Sequence, residues 1–314
     1  MPATQVGMIG LGIMGSAMSA NLVKAGFSVF GYDMVSARRA ALKRAGGRPA
    51  RSGEEVGEHA TVIVTSLPSA EALAEVSTQI AATGHAGQIV IETSTLPIEV
   101  KQAARKRLAV RGITLLDCPL SGTGAQARTK DLVVLASGER SAYRKCIPVF
   151  EGFARAHYLI GPFGDGSKMK FIANLLVAIH NVAAAEALVL GMKSGLDPAL
   201  VLKVMSNGAG TSRMLEVRGP MMVKGDYSEA TMKVAVWQKD MKIIGEYARS
   251  IDCPTPLFLA SAPFYTAAMA MGRGDEDTGS VCAVLEEMAR TGRNAKSPRR
   301  GRRRQGGTRS GVLK

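Results

Sequence analysis

Three groups of residues have types and spacings suited to chemistry. The first is Gly10-Leu11-Gly12-Ile13-Met14-Gly15, which follows the apolar run Gln5–Ile9 and opens a helical stretch. In that setting a GxGxxG pattern seats a pyrophosphate. Gly10 permits the tight turn, Gly12 lets backbone N–H groups approach the phosphates, and Gly15 allows close helix–strand packing. The positive end of the helix favours the anion. Asp33 closes the next strand-like run, Val29-Phe30-Gly31-Tyr32. A carboxylate at that distance from the glycines accepts hydrogen bonds from both adenosine ribose hydroxyls and repels a 2′-phosphate, so the expected cofactor is NAD in preference to NADP. Arg38 and Arg39 follow closely and keep NADP open. The second group is Ser121-Gly122-Thr123, where a hydroxyl and glycine-exposed N–H groups are suited to a carboxylate. The third is Lys170 with Asn174, four residues apart and therefore on one helix face.

These residues need elements to position them. Up to about Gly161 the sequence alternates short β-branched runs with helical spacings. Gln5–Ile9, Ser28–Tyr32, Thr61–Ser66, Gln88–Glu92, Thr114–Asp117 and Leu132–Ser137 read as strands; Ser16–Ala25 and Ala37–Ala45 read as helices. The alternation predicts βαβ units and a parallel sheet. Beyond Gly161-Pro162-Phe163-Gly164-Asp165-Gly166 the strand signal ends. Lys168–Ser194 reads as one long helix. Asp197-Pro198 opens another, with Asp as N-cap and Pro in the first turn. Met232–Arg249, Leu257–Met271 and Thr278–Ala289 complete the helical part. The expected architecture is an α/β Rossmann dinucleotide-binding domain (1–162) followed by an all-α domain (163–291), joined through a long interdomain helix. A basic, disordered tail (292–314) is expected to follow.

Composition sets the outer bounds. At roughly 150 residues per domain, 314 residues suit two domains. With 46% hydrophobic and 21% charged residues the chain has ample apolar surface for a core, which excludes wholesale disorder. The net charge of +14 suggests nucleic acid, but nine basic residues and no acid fall in 292–314, and without them the charge is +5. The tail has no interleaved aromatics, so nucleic acid would be held there only through its phosphates. Cys118, Cys146, Cys253 and Cys282 are dispersed, with no metal or disulfide spacing, and read as thiols in a reducing compartment. No metal is expected. His180 lies mid-helix and reads as a satisfied core histidine. The stretch Phe171–Met192 is apolar but carries Asn174, His180, Asn181 and Glu186, so it reads as a buried helix. No secretory signal is visible, which makes the expected location cytoplasmic.

Some residues exceed the generic fingerprint. The run Gly10-Leu11-Gly12-Ile13-Met14-Gly15-Ser16-Ala17-Met18-Ser19-Ala20-Asn21 resembles the β-hydroxyacid dehydrogenase family, which includes 3-hydroxyisobutyrate dehydrogenase and tartronate semialdehyde reductase. Further segments match in order: Glu92-Thr93-Ser94-Thr95, Asp117-Cys118-Pro119-Leu120-Ser121-Gly122-Thr123, Gly161-x-x-Gly164-x-Gly166-x-x-x-Lys170-x-x-x-Asn174, and Trp237-Gln238-Lys239-Asp240-Met241. Thr123 stands where the family has a second Gly, and Lys130-Asp131-Leu132 stands where it has Gly-Thr-Leu. These departures bear on the substrate. The resemblance covers roughly residues 1–289. It implies hydride transfer between a nicotinamide and a small 3-hydroxy acid, 3-hydroxyisobutyrate-like or tartronate semialdehyde/glycerate-like. By the same resemblance Lys170 is the general acid/base and Asn174 holds the substrate hydroxyl, while Ser121, Gly122 and Thr123 hold the carboxylate. Leu67, Pro68, Thr95 and Lys239 join Gly10–Gly15 and Asp33 at the cofactor. A homodimer or homotetramer is implied. The alternatives are an imine reductase-like enzyme and a non-catalytic NAD(P)-binding protein that binds nucleic acid through its tail; retention of Lys170 argues against both.

Overall fold

A computed structural model of the chain describes residues 5–292. The expected tail, 292–314, lies almost wholly outside the described residues. Nine strands form one sheet: β1 (Gln5–Ile9), β2 (Ser28–Tyr32), β3 (Arg48–Pro49), β4 (Val62–Thr65), β5 (Ile89–Glu92), β6 (Thr114–Asp117), β7 (Leu120–Ser121), β8 (Val133–Ser137) and β9 (Ala156–Gly161). The helices of this half are α1 (Ile13–Lys24), α2 (Ser36–Arg44), α3 (Gly53–His59), α4 (Ala70–Thr83), α5 (Ile98–Ala109), α6 (Gly124–Arg128) and α7 (Arg140–Phe153). The strand order is β3-β2-β1-β4-β5-β6-β8-β7, with β9 also on β8. The chain leaves β1 toward β2 on one side and resumes at β4 on the other. That reversal is the switch point at which open α/β sheets bind ligands. Register aligns Ile9 with Tyr32 and with Thr65, so the carboxyl ends of β1, β2 and β4 open on one crevice.

Side-chain alternation explains the two cores of the sheet. Met8, Val64, Ile91 and Leu116 point to one face and pack with Leu22 and Phe150. Ile9, Ile63, Val90 and Leu115 point to the other and pack with Val56, Ile80 and Leu108. A strand buried on both faces loses alternation of polarity, which is why these runs read as continuous apolar segments. Burial of each such side chain contributes about 1.5–3 kcal/mol.

The sheet is not wholly parallel. β3 to β6 pair in parallel across β2, β1, β4 and β5, but β8 is antiparallel to β6 and β7. The link from β6 to β8 is spent on β7, which pairs antiparallel with β8, and the short α6, so it forms no full crossover helix. β9 returns to β8 in parallel as a half-exposed edge strand. Arg48–Pro49, Leu120–Ser121 and Ala156–Gly161 are thus strands the sequence pattern does not reveal.

The second half is helical: α8 (Asp165–Lys193), α9 (Pro198–Ser206), α10 (Arg213–Lys224), α11 (Val234–Ser250), α12 (Pro256–Ala270), a 3₁₀ turn (Thr278–Ser280) and α13 (Val281–Met288). At 1.5 Å per residue α8 is about 43 Å long. It is the one helix among the described residues long and apolar enough to cross a membrane, and half of its most apolar window is buried. Its flank forms the third core, with Ala178, Ala185, Leu188 and Val189 against Trp237, Ile244, Phe258 and Tyr265. The expected helix Thr278–Ala289 is a 3₁₀ turn followed by a helix, because Asp277 caps the turn through Gly279 N. α10 is hidden in the sequence by Gly219-Pro220. A Cβ on Gly219 would lie 2.4 Å from Leu202 Cδ1, so glycine there is what lets α10 seat on α9. His180 is half-buried rather than a core residue.

Candidate active site

The glycine turn after β1 shows why three glycines are required. Gly10 has φ +91°, and a Cβ there would lie 2.2 Å from Ser66 O. A Cβ on Gly15 would lie 1.8 Å from Gly10 O. Gly12 faces open space, and α1 starts beside it with no side-chain cap. The first N–H groups of α1 are therefore left for an anion. Asp33 is buried at the end of β2; Leu11 N and Val35 N donate to its two carboxylate oxygens, each at 2.8 Å. Arg38 Nη1 stands 3.3 Å from Asp33 Oδ2. A cavity of about 390 Å³ joins Gly10, Gly12, Ile13, Met14, Asp33, Leu67 and Pro68. Ala230–Lys233 and Val236 of the helical half close its other side. Open N–H groups, a carboxylate and a cavity beside both fit a dinucleotide.

A second cavity, about 480 Å³, joins Ser121, Gly122 and Thr123 to Lys170, Asn174 and Trp237. Gly122, Thr123 and Met232 line both cavities, so the two sites meet there. Gly122 has φ +134°, a backbone form that favours glycine. Thr123 caps α6: its hydroxyl accepts from Gln126 N, and its own N–H donates to Gln126 Oε1 at 3.0 Å. Its N–H and hydroxyl are thus engaged with Gln126. Ser121 Oγ and Gly122 N are the donors of the loop best placed for a carboxylate.

Lys170 and Asn174 come from the first turns of α8, which a buried polar cluster fixes to the sheet. Asp117 Oδ2 accepts from Ser167 N and Oδ1 from Ser167 Oγ, both at 2.8 Å. Lys101, fully buried, lies 2.8 Å from both Glu92 and Asp117. Burial opposes its charge, but the two carboxylates outweigh this and hold its pKa above the ordinary lysine value. A Cβ on Gly166 would lie 2.3 Å from Leu135 O, so glycine there brings the helix start against β8.

Lys170 and Asn174 are both buried. Asn174 Nδ2 donates to Asp240 Oδ2 at 2.9 Å, leaving its carbonyl oxygen and second N–H for a ligand. Burial lowers the Lys170 pKa; the Asp240 carboxylate opposes that and Lys239 reinforces it. A lysine so shifted exchanges a proton more readily near neutral pH. Lys239 forms an ion pair with Asp240 at 3.0 Å and donates to Thr95 O, linking α11 to the loop after β5. Leu11, Gly15, Thr95 and Lys239 line neither cavity; Leu11 and Gly15 sit beneath the cofactor turn, and Thr95 and Lys239 bind each other. Asp240 adjoins the lysine that the sequence motif singles out, and its own role is visible only in three dimensions. Gln126, Asp131, Arg155, Arg213 and Arg218 also line the second cavity; of these, only Asp131 stands out in the sequence, as a departure from the family pattern.

Comparison with known proteins agrees with this geometry. The NAD binding domain of 6-phosphogluconate dehydrogenase matches residues 5–161. The NAD-binding domain of NADP-dependent 3-hydroxyisobutyrate dehydrogenase matches residues 164–285. An L-threonate dehydrogenase from Cupriavidus necator is 35% identical over 287 residues, covering 89% of this chain and 95% of that one. A 2-(hydroxymethyl)glutarate dehydrogenase from Eubacterium barkeri is 28% identical over 288 residues, covering 90% and 95%. The crystal structure of a 3-hydroxyisobutyrate dehydrogenase from Salmonella typhimurium superimposes with a TM-score of 0.82 at 30% identity, covering 90% and 99%.

Proposed function

The chain belongs to the β-hydroxyacid dehydrogenase family of NAD(P)-dependent oxidoreductases, and from that premise we propose that it oxidises the alcohol of a small 3-hydroxy acid with Lys170 as general acid/base. The substrate is 3-hydroxyisobutyrate-like or tartronate semialdehyde/glycerate-like, or a longer polar acid of the kind named in the L-threonate and 2-(hydroxymethyl)glutarate relatives. The observation that carries this reading is the shared wall at Gly122–Thr123 and Met232, which puts a dinucleotide cleft beside a cavity containing Lys170.

The nicotinamide, when bound, supplies the two-electron hydride acceptor. Ser121 and Gly122 hold the substrate carboxylate. Asn174, held by Asp240, orients the hydroxyl. Neutral Lys170 Nζ accepts the hydroxyl proton in oxidation and returns it in reduction. Asp33 favours NAD over NADP. Following NADH at 340 nm tests the reading: Lys170→Ala should lose about 10²–10⁴-fold in kcat while still binding NAD. Full turnover by that variant would refute it.

The chain acts as a homo-oligomer on this reading. Leu190, Leu196, Leu200 and Val204 are exposed along an apolar groove between α8 and α9, and α9 buries none of its residues within one subunit. A second copy is the occupant that suits such a face.

A further inference from the structure

The substrate cavity holds more positive charge than a monocarboxylate needs. Lys170 and Asn174 serve the hydroxyl, and Ser121–Gly122 serve one carboxylate. Three guanidinium groups remain in the wall, those of Arg155, Arg213 and Arg218. Each is paired with a carboxylate and keeps at least one terminal nitrogen without a partner among the described residues. Arg155 donates through Nε to Asp131 at 2.6 Å, and its terminal nitrogens bond to no described residue. Arg213 pairs through Nη1 with Glu216 at 3.0 Å. Arg218, only 2% exposed, is fixed through Nε by Asp277 at 2.7 Å and through Nη1 by Asn181, leaving Nη2 without a partner among the described residues. A buried guanidinium anchored in this way is a rigid donor.

Resting on the proposed reaction, we infer that these three arginines form a distal subsite for a second carboxylate, so that the preferred substrate is a hydroxy-dicarboxylic acid. The guanidinium fork matches a carboxylate in two parallel hydrogen bonds. The wall is also wired to the first carboxylate loop. Gln126 accepts from Thr123 N and donates to Asp131 Oδ2 at 3.0 Å, and Asp131 in turn fixes Arg155. This chain uses two of the positions where the sequence departs from its family, Thr123 and Asp131. The departures therefore place Arg155 relative to the carboxylate loop, and with it the reach of the substrate.

A matched series tests the subsite. 3-Hydroxyisobutyrate carries a methyl group where 2-(hydroxymethyl)butanedioate carries a carboxymethyl arm, and the distal amide of the latter is a neutral isostere. We expect the diacid to exceed the amide by at least about tenfold in kcat/KM. Arg155→Gln and Arg213→Gln should each collapse that ratio by about tenfold through KM, the scale of one lost charge-assisted contact. Diacid and amide equal in wild type, or a ratio that survives both substitutions, would overturn the subsite. Titration of NADH fluorescence in the enzyme–NADH complex reads binding without turnover. Diacid binding that Arg155→Gln weakens supports the subsite even if no compound is oxidised, a result that would sink the proposed reaction alone; equal binding of diacid and amide overturns the subsite.

Discussion

At Lys170 two neighbours pull in opposite directions on one proton. Burial and the Lys239 charge favour the neutral amine, and the Asp240 carboxylate favours the ammonium. On the proposed mechanism oxidation requires the neutral amine, so its rate should rise with pH through a pKa below that of an ordinary lysine. Asp240→Asn removes the stabilising negative charge and should move this limb to lower pH. Lys239→Met removes a repelling positive charge and should move it to higher pH. A pH profile of kcat for both variants decides the matter: limbs that move together, or stay fixed, would show that Lys170 is not the group titrating. The sequence exposes Lys170 and Asn174 through the family motif they complete, and their spacing puts both on one helix face. It conceals Asp240, which reaches Asn174 from 66 positions away, and Arg218, whose partner Asp277 is 59 positions away. Local spacing is legible in a sequence; pairing across the fold is not.

The same division holds for elements. β1, β2, β5, β6 and β8 are legible because they are buried on both faces over most of their length, which leaves short apolar runs. β9 is half-exposed and β7 has two residues, so neither leaves such a trace. The start of α8 is set by its neighbours. A Cβ added at Gly166 would lie 2.3 Å from the backbone carbonyl of Leu135, which has no freedom to withdraw. Gly166→Ala should therefore cost about 1–3 kcal/mol by overpacking, read as a lower Tm, and should also lower kcat by displacing Lys170. An unchanged Tm would mean that α8 slides freely on the sheet. Lys101→Met tests the cluster beneath. It strands Glu92 and Asp117 as a buried pair of carboxylates and should cost about 3–5 kcal/mol in chemical denaturation. A loss below 1 kcal/mol would show that the cluster is hydrated and does not fix the helix.

At the scale of the molecule, the two halves contribute opposite walls of the candidate cofactor cleft, and α8 contributes Lys170, Asn174 and Val177 to the cavity beside it. α8 also carries the unpaired apolar face. Along that one helix, Ala185, Leu188 and Val189 face the subunit's own core while Leu190 faces outward with Leu196, Leu200 and Val204 of the next turn and helix. Leaving four large aliphatic side chains half-exposed forgoes burial of about 25 cal/mol for each Å². Covering the face against its copy recovers that term and stiffens the helix that holds Lys170. Sedimentation of the wild-type chain at micromolar concentration should give a multiple of the 33.0 kDa subunit. The double variant Leu200→Glu/Val204→Glu places two carboxylates on each side of the contact and should shift it to the monomer, with the NAD-binding cleft retained and kcat reduced. A wild-type chain that sediments as a monomer would remove α9 from any interface, and a double variant that stays assembled would place the contact on another face.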